Sequence, residues 1–167
     1  MKQILLTFIL ILVVCTGCTE QNMPASQNEP TTPRETIELT SDDIDYFYFH
    51  YRSGSMSDMD YEITKDEEIF TLNATGGHYD SQSIIIDKEI LTDLQELIMI
   101  YHIPEWNGFD ETASDERLTT ANNKFRIEII YDDQTVVSVE GDHSFPDGYE
   151  EAEAALLDFF DALYRSR

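Results

Sequence analysis

Two hydrophobic periods organise the chain beyond residue 39. Residues 44–51 (IDYFYFHY) alternate with apolar groups on both faces, Ile44, Tyr46, Tyr48 and His50 on one, Asp45, Phe47, Phe49 and Tyr51 on the other. Aromatics favour strands, and a strand with two apolar faces belongs inside a sheet. Residues 59–64, 69–73 and 78–86 read as three further short strands, with 65–68 (KDEE) and 74–77 (ATGG) as the turns of a meander. The period then changes. Ile90, Leu91, Leu94, Leu97, Ile98 and Tyr101 recur on one helical face, Asp87 stands as N-cap, and Pro104 ends the helix because the residue before proline avoids helical angles. Residues 104–122 form a long polar loop, 124–131 (KFRIEIIY) alternate again, 132–134 (DDQ) turn, and 135–140 return as the partner strand. After a second loop at 141–148, a last helix begins near Asp147, with Glu150 three residues on in the manner of a capping box. Tyr149, Ala152, Leu156, Phe159, Phe160 and Leu163 make its apolar stripe, and its acids and terminal arginines suit the two ends of the helix dipole. The order β-β-β-β-α-β-β-α predicts an α+β domain: an antiparallel sheet of about six strands with two helices packed on one face.

The first residues carry a different pattern. After Lys2, residues 4–15 (ILLTFILILVVC) are apolar except for Thr7. That run is too short to cross ~30 Å of hydrocarbon as a helix and suits the apolar region of a signal peptide. Thr16-Gly17-Cys18 follows and resembles the lipobox of bacterial lipoproteins, with Cys15 standing where that family has leucine. The resemblance implies cleavage before Cys18, acylation of Cys18 with palmitate-type chains, and a protein held on the extracytoplasmic face of the cell membrane. Two or more acyl chains anchor stably where one does not. An ordinary secretory signal or an uncleaved signal anchor are the alternatives. Residues 19–38 hold three of the five prolines and no aromatics, a composition that cannot bury a core. They read as a disordered stalk with a reach of about 25 Å. Residues 39–167 then form a single domain.

Charge narrows the partners. With 10 Lys+Arg against 34 Asp+Glu the formal net charge is -24, which repels phosphate backbones and anionic lipid headgroups alike. Nucleic acid is excluded as a partner. At 41% hydrophobic the chain still has material for a core. Both cysteines lie at the leader, so the domain has no disulfide, thiol nucleophile or thiolate metal site. No nucleophile elbow, zinc-protease helix, phosphate loop or dinucleotide glycine pattern occurs, and no cofactor is expected. Asp58-Met59-Asp60, Asp110-Glu111 and Asp132-Asp133 offer hard oxygen ligands, but none has calcium-loop spacing, and a solvated surface is their simplest reading.

Two loop segments carry a further likeness. Trp106-Asn107-Gly108-Phe109 and Gly141-Asp142-His143-Ser144-Phe145-Pro146 resemble segments of exported bacterial lipoproteins of low-GC Gram-positive type. That group has a Trp-x-Gly-Phe after a helix and a Gly-x-Asn-x-(Phe/Tyr)-Pro turn before the last one. Here His143 replaces the asparagine, and 132–134 replace an Asp-Gly hairpin turn. The likeness covers about residues 87–167 and lends no catalytic residue. Trp106 and Phe109 either form a recognition surface or fold back as a lid on the core. Asp142 and His143 are the remaining candidates for a site. The reading that follows is a non-catalytic, membrane-anchored module binding a protein, peptide or cell-envelope ligand. The rival is a small hydrolase or metal-dependent enzyme using His143 with loop acids.

Overall fold

The computed structural model describes residues 37, 39, 43–52, 54, 58–77, 79–113 and 123–166; Cys18 and the stalk, apart from Ile37, which packs against the core, lie outside the described residues. Its strands are β1 (Ile44–Arg52), β2 (Met59–Asp66), β3 (Ile69–Gly76), β4 (Tyr79–Ile86), β5 (Asp110–Thr112), β6 (Lys124–Tyr131) and β7 (Val136–Asp142). Among the described residues, helices α1 (Lys88–Ile100) and α2 (Tyr149–Arg165) complete it, with a 3-10 turn at Ile103–Trp106. The sheet order is β4-β3-β2-β1-β6-β7-β5. The aromatic strand β1 is therefore central, as its two apolar faces predict. The α+β class holds, but the sheet has seven strands and is mixed. β5 pairs in parallel with β7, Asp110 opposite Glu140 and Thr112 opposite Asp142. The hydrophobic pattern misses β5 because Asp-Glu-Thr is exposed throughout and has no alternation to read.

Period-two alternation decides which face is core. Phe47 and Phe49 of β1, Tyr61 and Ile63 of β2, Leu72 and Ala74 of β3, Ile127, Ile129 and Tyr131 of β6, and Val137 and Val139 of β7 are all buried on one side. Both helices pack there. Phe160 of α2 stacks on Tyr61 at 4.4 Å between ring centroids and lies 5.7 Å from Phe47. Leu91, Leu94 and Ile98 of α1 join the same cluster. Among the described residues no helix covers the opposite face, and none is long and apolar enough to cross a membrane.

The ends of elements depart from the sequence reading in physical detail. α2 starts at Tyr149, not at Asp147, and its N-cap is Gly148 in the left-handed region at φ 81, with no side-chain cap. The expected capping box is thus absent; glycine supplies the turn instead. Asp87 does stand at the N-cap of α1, without a side-chain hydrogen bond to it. In edge strand β4, Gly76 pairs with Tyr79 and Ala74 with Gln82, so Asp80 and Ser81 both face Thr75. This is a bulge, and Ser81 bends through it at φ 62.

Phe160 is fully buried and sits between helix and sheet, so Phe160→Ala should cost about 3–5 kcal/mol in urea denaturation. Val136 is 43% exposed, and Val136→Ala should change stability by less than ~0.5 kcal/mol. Equal losses for the two variants would contradict this assignment of the core.

Candidate functional site

The two motif loops meet each other. Gly108 N–H donates to Ser138 O at 2.9 Å and Glu140 N–H to Phe109 O at 2.8 Å, so the Trp106–Phe109 segment runs along the edge of β7. Asn107 locks it there: its Oδ1 accepts the Ser138 N–H at 2.9 Å. From the other loop, Ser144 Oγ donates to Glu111 Oε2 at 3.0 Å. Trp106 and Phe109 are buried, at 6% and 3% exposure. They lie on the core as a lid, not outward as a recognition surface. Phe125, Phe145 and Tyr149 complete an aromatic cluster, Phe125 at 4.2 Å from Tyr149 and Phe145 at 4.8 Å from it. Gly141 is needed at this junction, because a Cβ there would stand 2.2 Å from Ser144 O and 2.4 Å from the Phe125 ring.

Asp142 and His143 come together as well. His143 Nδ1 lies 2.6 Å from Asp142 Oδ1, while Lys124 Nζ holds Asp142 Oδ2 at 2.7 Å. His143 itself is fixed in the left-handed region at φ 57, its N–H donating to Asn123 O at 2.9 Å. Lys124 first, and then His143, pull the Asp142 carboxyl below its ordinary value. A second pair of the same kind stands on the open face: His50 Nδ1 is 3.0 Å from Asp60 Oδ1. Asp60 also accepts from the Tyr48 hydroxyl at 2.6 Å and from Thr75 Oγ1 at 3.3 Å. Burial and Asp60 together push the Tyr48 phenol up. Burial first, then the Glu62 carboxylate, push Tyr46 up to about 12. Both phenols are neutral donors at any physiological pH.

Strand register arranges these residues into rows. His50 of β1 lies opposite Asp60 on one side and Arg126 on the other, and Arg126 lies opposite Glu140. One step along, Arg52 lies opposite Lys124, and Lys124 opposite Asp142. Arg52 Nε meets Asp58 Oδ1 at 3.1 Å, and Arg126 Nη2 meets Glu128 Oε2 at 2.6 Å. The His50 row thus runs acid, base, base, acid across four strands, and the Arg52 row runs base, base, acid across three, with Asp58, just before β2, supplying its outer acid. His50, Arg52, Lys124 and Arg126 form a block of bases on the two central strands of a chain with net charge -24. Like charges opposite one another on neighbouring strands destabilise a sheet, and the flanking acids offset that here. A cleft of about 430 Å³ opens beside the block, lined by His50, Thr112, Lys124, Arg126, Glu140 and Asp142 among others.

The sequence reading reached Asp142 and His143 but not this block. Its alternation does put His50 on the Tyr46 face and separates Lys124 and Arg126 from the buried Phe125 and Ile127. Only the β1–β6 register, between strands more than seventy positions apart, brings the four bases together. The acidic pairs read as metal candidates stay apart: among the described residues no three His, Cys, Asp or Glu side chains gather as a metal-ligand group. No protein-family model matches the chain, and no curated protein matches it.

Asp142 tests the geometry at this junction. Its lowered carboxyl contributes stability above the ordinary carboxylate value, and that contribution disappears as pH falls through the folded-state value. Asp142→Asn should therefore be less stable than the parent near neutral pH, by under ~1 kcal/mol for so accessible a pair, and the gap should close in acid. Denaturation midpoints of the two chains between neutral pH and pH ~2 make the measurement.

Proposed function

We propose that this protein is a membrane-anchored, extracytoplasmic lipoprotein acting as a non-catalytic binding module for a protein, peptide or cell-envelope ligand. The apolar leader and Thr16-Gly17-Cys18 support the anchor, and the likeness of the two loop segments to exported lipoproteins supports the compartment. One observation carries the binding role. The sheet face left open by both helices presents His50, Arg52, Lys124 and Arg126 as a contiguous basic block between acidic borders. Such a face suits a ligand with acidic groups at its centre, and the acidic surround disfavours broad polyanions. The contact of His143 with Asp142 favours a second reading, a small hydrolase. Against it, Ser144, the hydroxyl beside His143 in sequence, donates to Glu111.

The two halves of the proposal are separable. Wild-type chain expressed in a Gram-positive host should partition into the detergent phase of a cloud-point extraction, and Cys18→Ala should move it to the aqueous phase. Wild-type behaviour from Cys18→Ala would remove the anchor. For the face, mature chain should co-sediment with purified cell walls, and Arg126→Glu should weaken that by about tenfold or more, the size of one lost charge-assisted contact, while staying folded at a somewhat lower melting temperature because the new carboxylate faces Glu140 and Glu128. Equal retention of Arg126→Glu would remove the basic block from the binding role. Turnover of ester or peptide substrates that His143→Ala abolishes would favour the hydrolase.

A further inference from the structure

A second pocket, distinct from the cleft on the open face, opens where the first turns of α2 pass the ends of β1 and β6. It holds about 220 Å³ and is lined by Arg52, Asn123, Lys124, Phe145, Tyr149, Glu150 and Glu153. The acids come from the helix and the bases from the strand ends, so one wall is negative and the other positive. Phe145 and Tyr149, stacked at 4.8 Å, supply an apolar surface between them. The volume lies below the ~300–1,000 Å³ of pockets for drug-sized ligands and suits something the size of one or two amino acids.

Glu153 is the unusual member. It is half-buried, and it has no hydrogen-bond or ion-pair partner among the described residues. Burial, and then the neighbouring Glu150, hold its carboxyl above the ordinary value. A carboxylate kept partly out of water with no partner loses solvation and gains nothing in return. Across the pocket, Arg52 contacts Asp58 through Nε and Lys124 contacts Asp142. One contact does not exhaust the five donors of a guanidinium or the three of an ammonium.

We propose that this pocket binds a zwitterion, a free α-amino acid or a short unblocked peptide. Glu153 and Glu150 receive its ammonium group, Arg52 and Lys124 its carboxylate, and Phe145 and Tyr149 its side chain. A ligand with both charges gives Glu153 the partner it lacks and matches both walls. A simple cation or simple anion satisfies only one and meets repulsion at the other. The inference rests on the binding-module reading and gives it a ligand class, at a pocket whose acidic wall the cell-wall assay with Arg126→Glu does not touch.

Calorimetric titration of the intact mature chain with alanyl-alanine, N-acetyl-alanyl-alanine and alanyl-alanine amide tests it. Saturable binding of the free dipeptide is expected, weakened about tenfold or more by blocking either end, since each block removes one charged contact. Glu153→Gln should weaken free-dipeptide binding by a similar factor. The same variant should melt no lower than the parent at neutral pH, because the raised carboxyl contributes stability only in its protonated form, at low pH, and loses it as pH rises. Any gain from Glu153→Gln should therefore vanish in acid. Equal affinity for the blocked dipeptides, undiminished binding by Glu153→Gln, or no saturable binding of any of the three would overturn the proposal. If the dipeptides fail while cell-wall retention still depends on Arg126, only the zwitterion site is lost. If both fail, the module reading falls with it.

Discussion

Phe125 is the point on which the architecture turns. Its ring lies against Tyr149 at the start of α2, against Phe145 in the loop before it, and against Phe109 in the segment that lines β7. Remove that ring and the three segments lose their common surface, keeping only the contacts of Trp106 and Phe145 with Tyr149. The packing is tight enough that the strand beside it admits only glycine at position 141. Because Phe125 points inward, its neighbours Lys124 and Arg126 must point outward. The aromatic junction and the basic block are thus two faces of one alternation. The fold cannot move one without moving the other.

Charge is the second constraint. A chain of net charge -24 repels itself, and its few cations settle where they relieve most repulsion. Lys65 reaches Asp45, Lys88 reaches Asp43, and Arg165 reaches Asp161 on the next turn of its helix. These are surface pairs of small individual worth. Arg52, Lys124 and Arg126 behave differently. They sit together, which costs Coulomb energy, and need acids on both sides to be tolerated. An arrangement that works against the general electrostatics of the chain is the reason the open face, and not the acidic remainder of the surface, is read as a site.

Much of this was legible in the sequence, for identifiable reasons. The central place of β1 followed from aromatics on both its faces, and the helices followed from apolar residues three and four apart. What escaped was of two kinds. β5 has three exposed polar residues and exists because Asn107 and Gly108 bind the backbone of β7, which is a tertiary cause. The start of α2 was misplaced because Asp147 and Glu150 imitate a capping box while Gly148 makes the turn. For the site, local pattern reached Asp142 and His143, adjacent in sequence, but could not supply the register that sets His50 against Arg126. Glu153 looked like one of many helix-start acids; only its burial beside Tyr149 distinguishes it.

The bulge at Ser81 has a consequence for molecules held side by side. β4 is an outer strand eight residues long, with Ile85 exposed, and a flat strand of that length would offer its unpaired amides to the same strand of a neighbour. At Ser81, the third residue of the strand, the backbone swings through a left-handed turn and interrupts the row of donors and acceptors near its start. At the other edge β5 is too short to template anything. Both edges of the sheet are therefore poor templates for strand addition by a second copy of the chain.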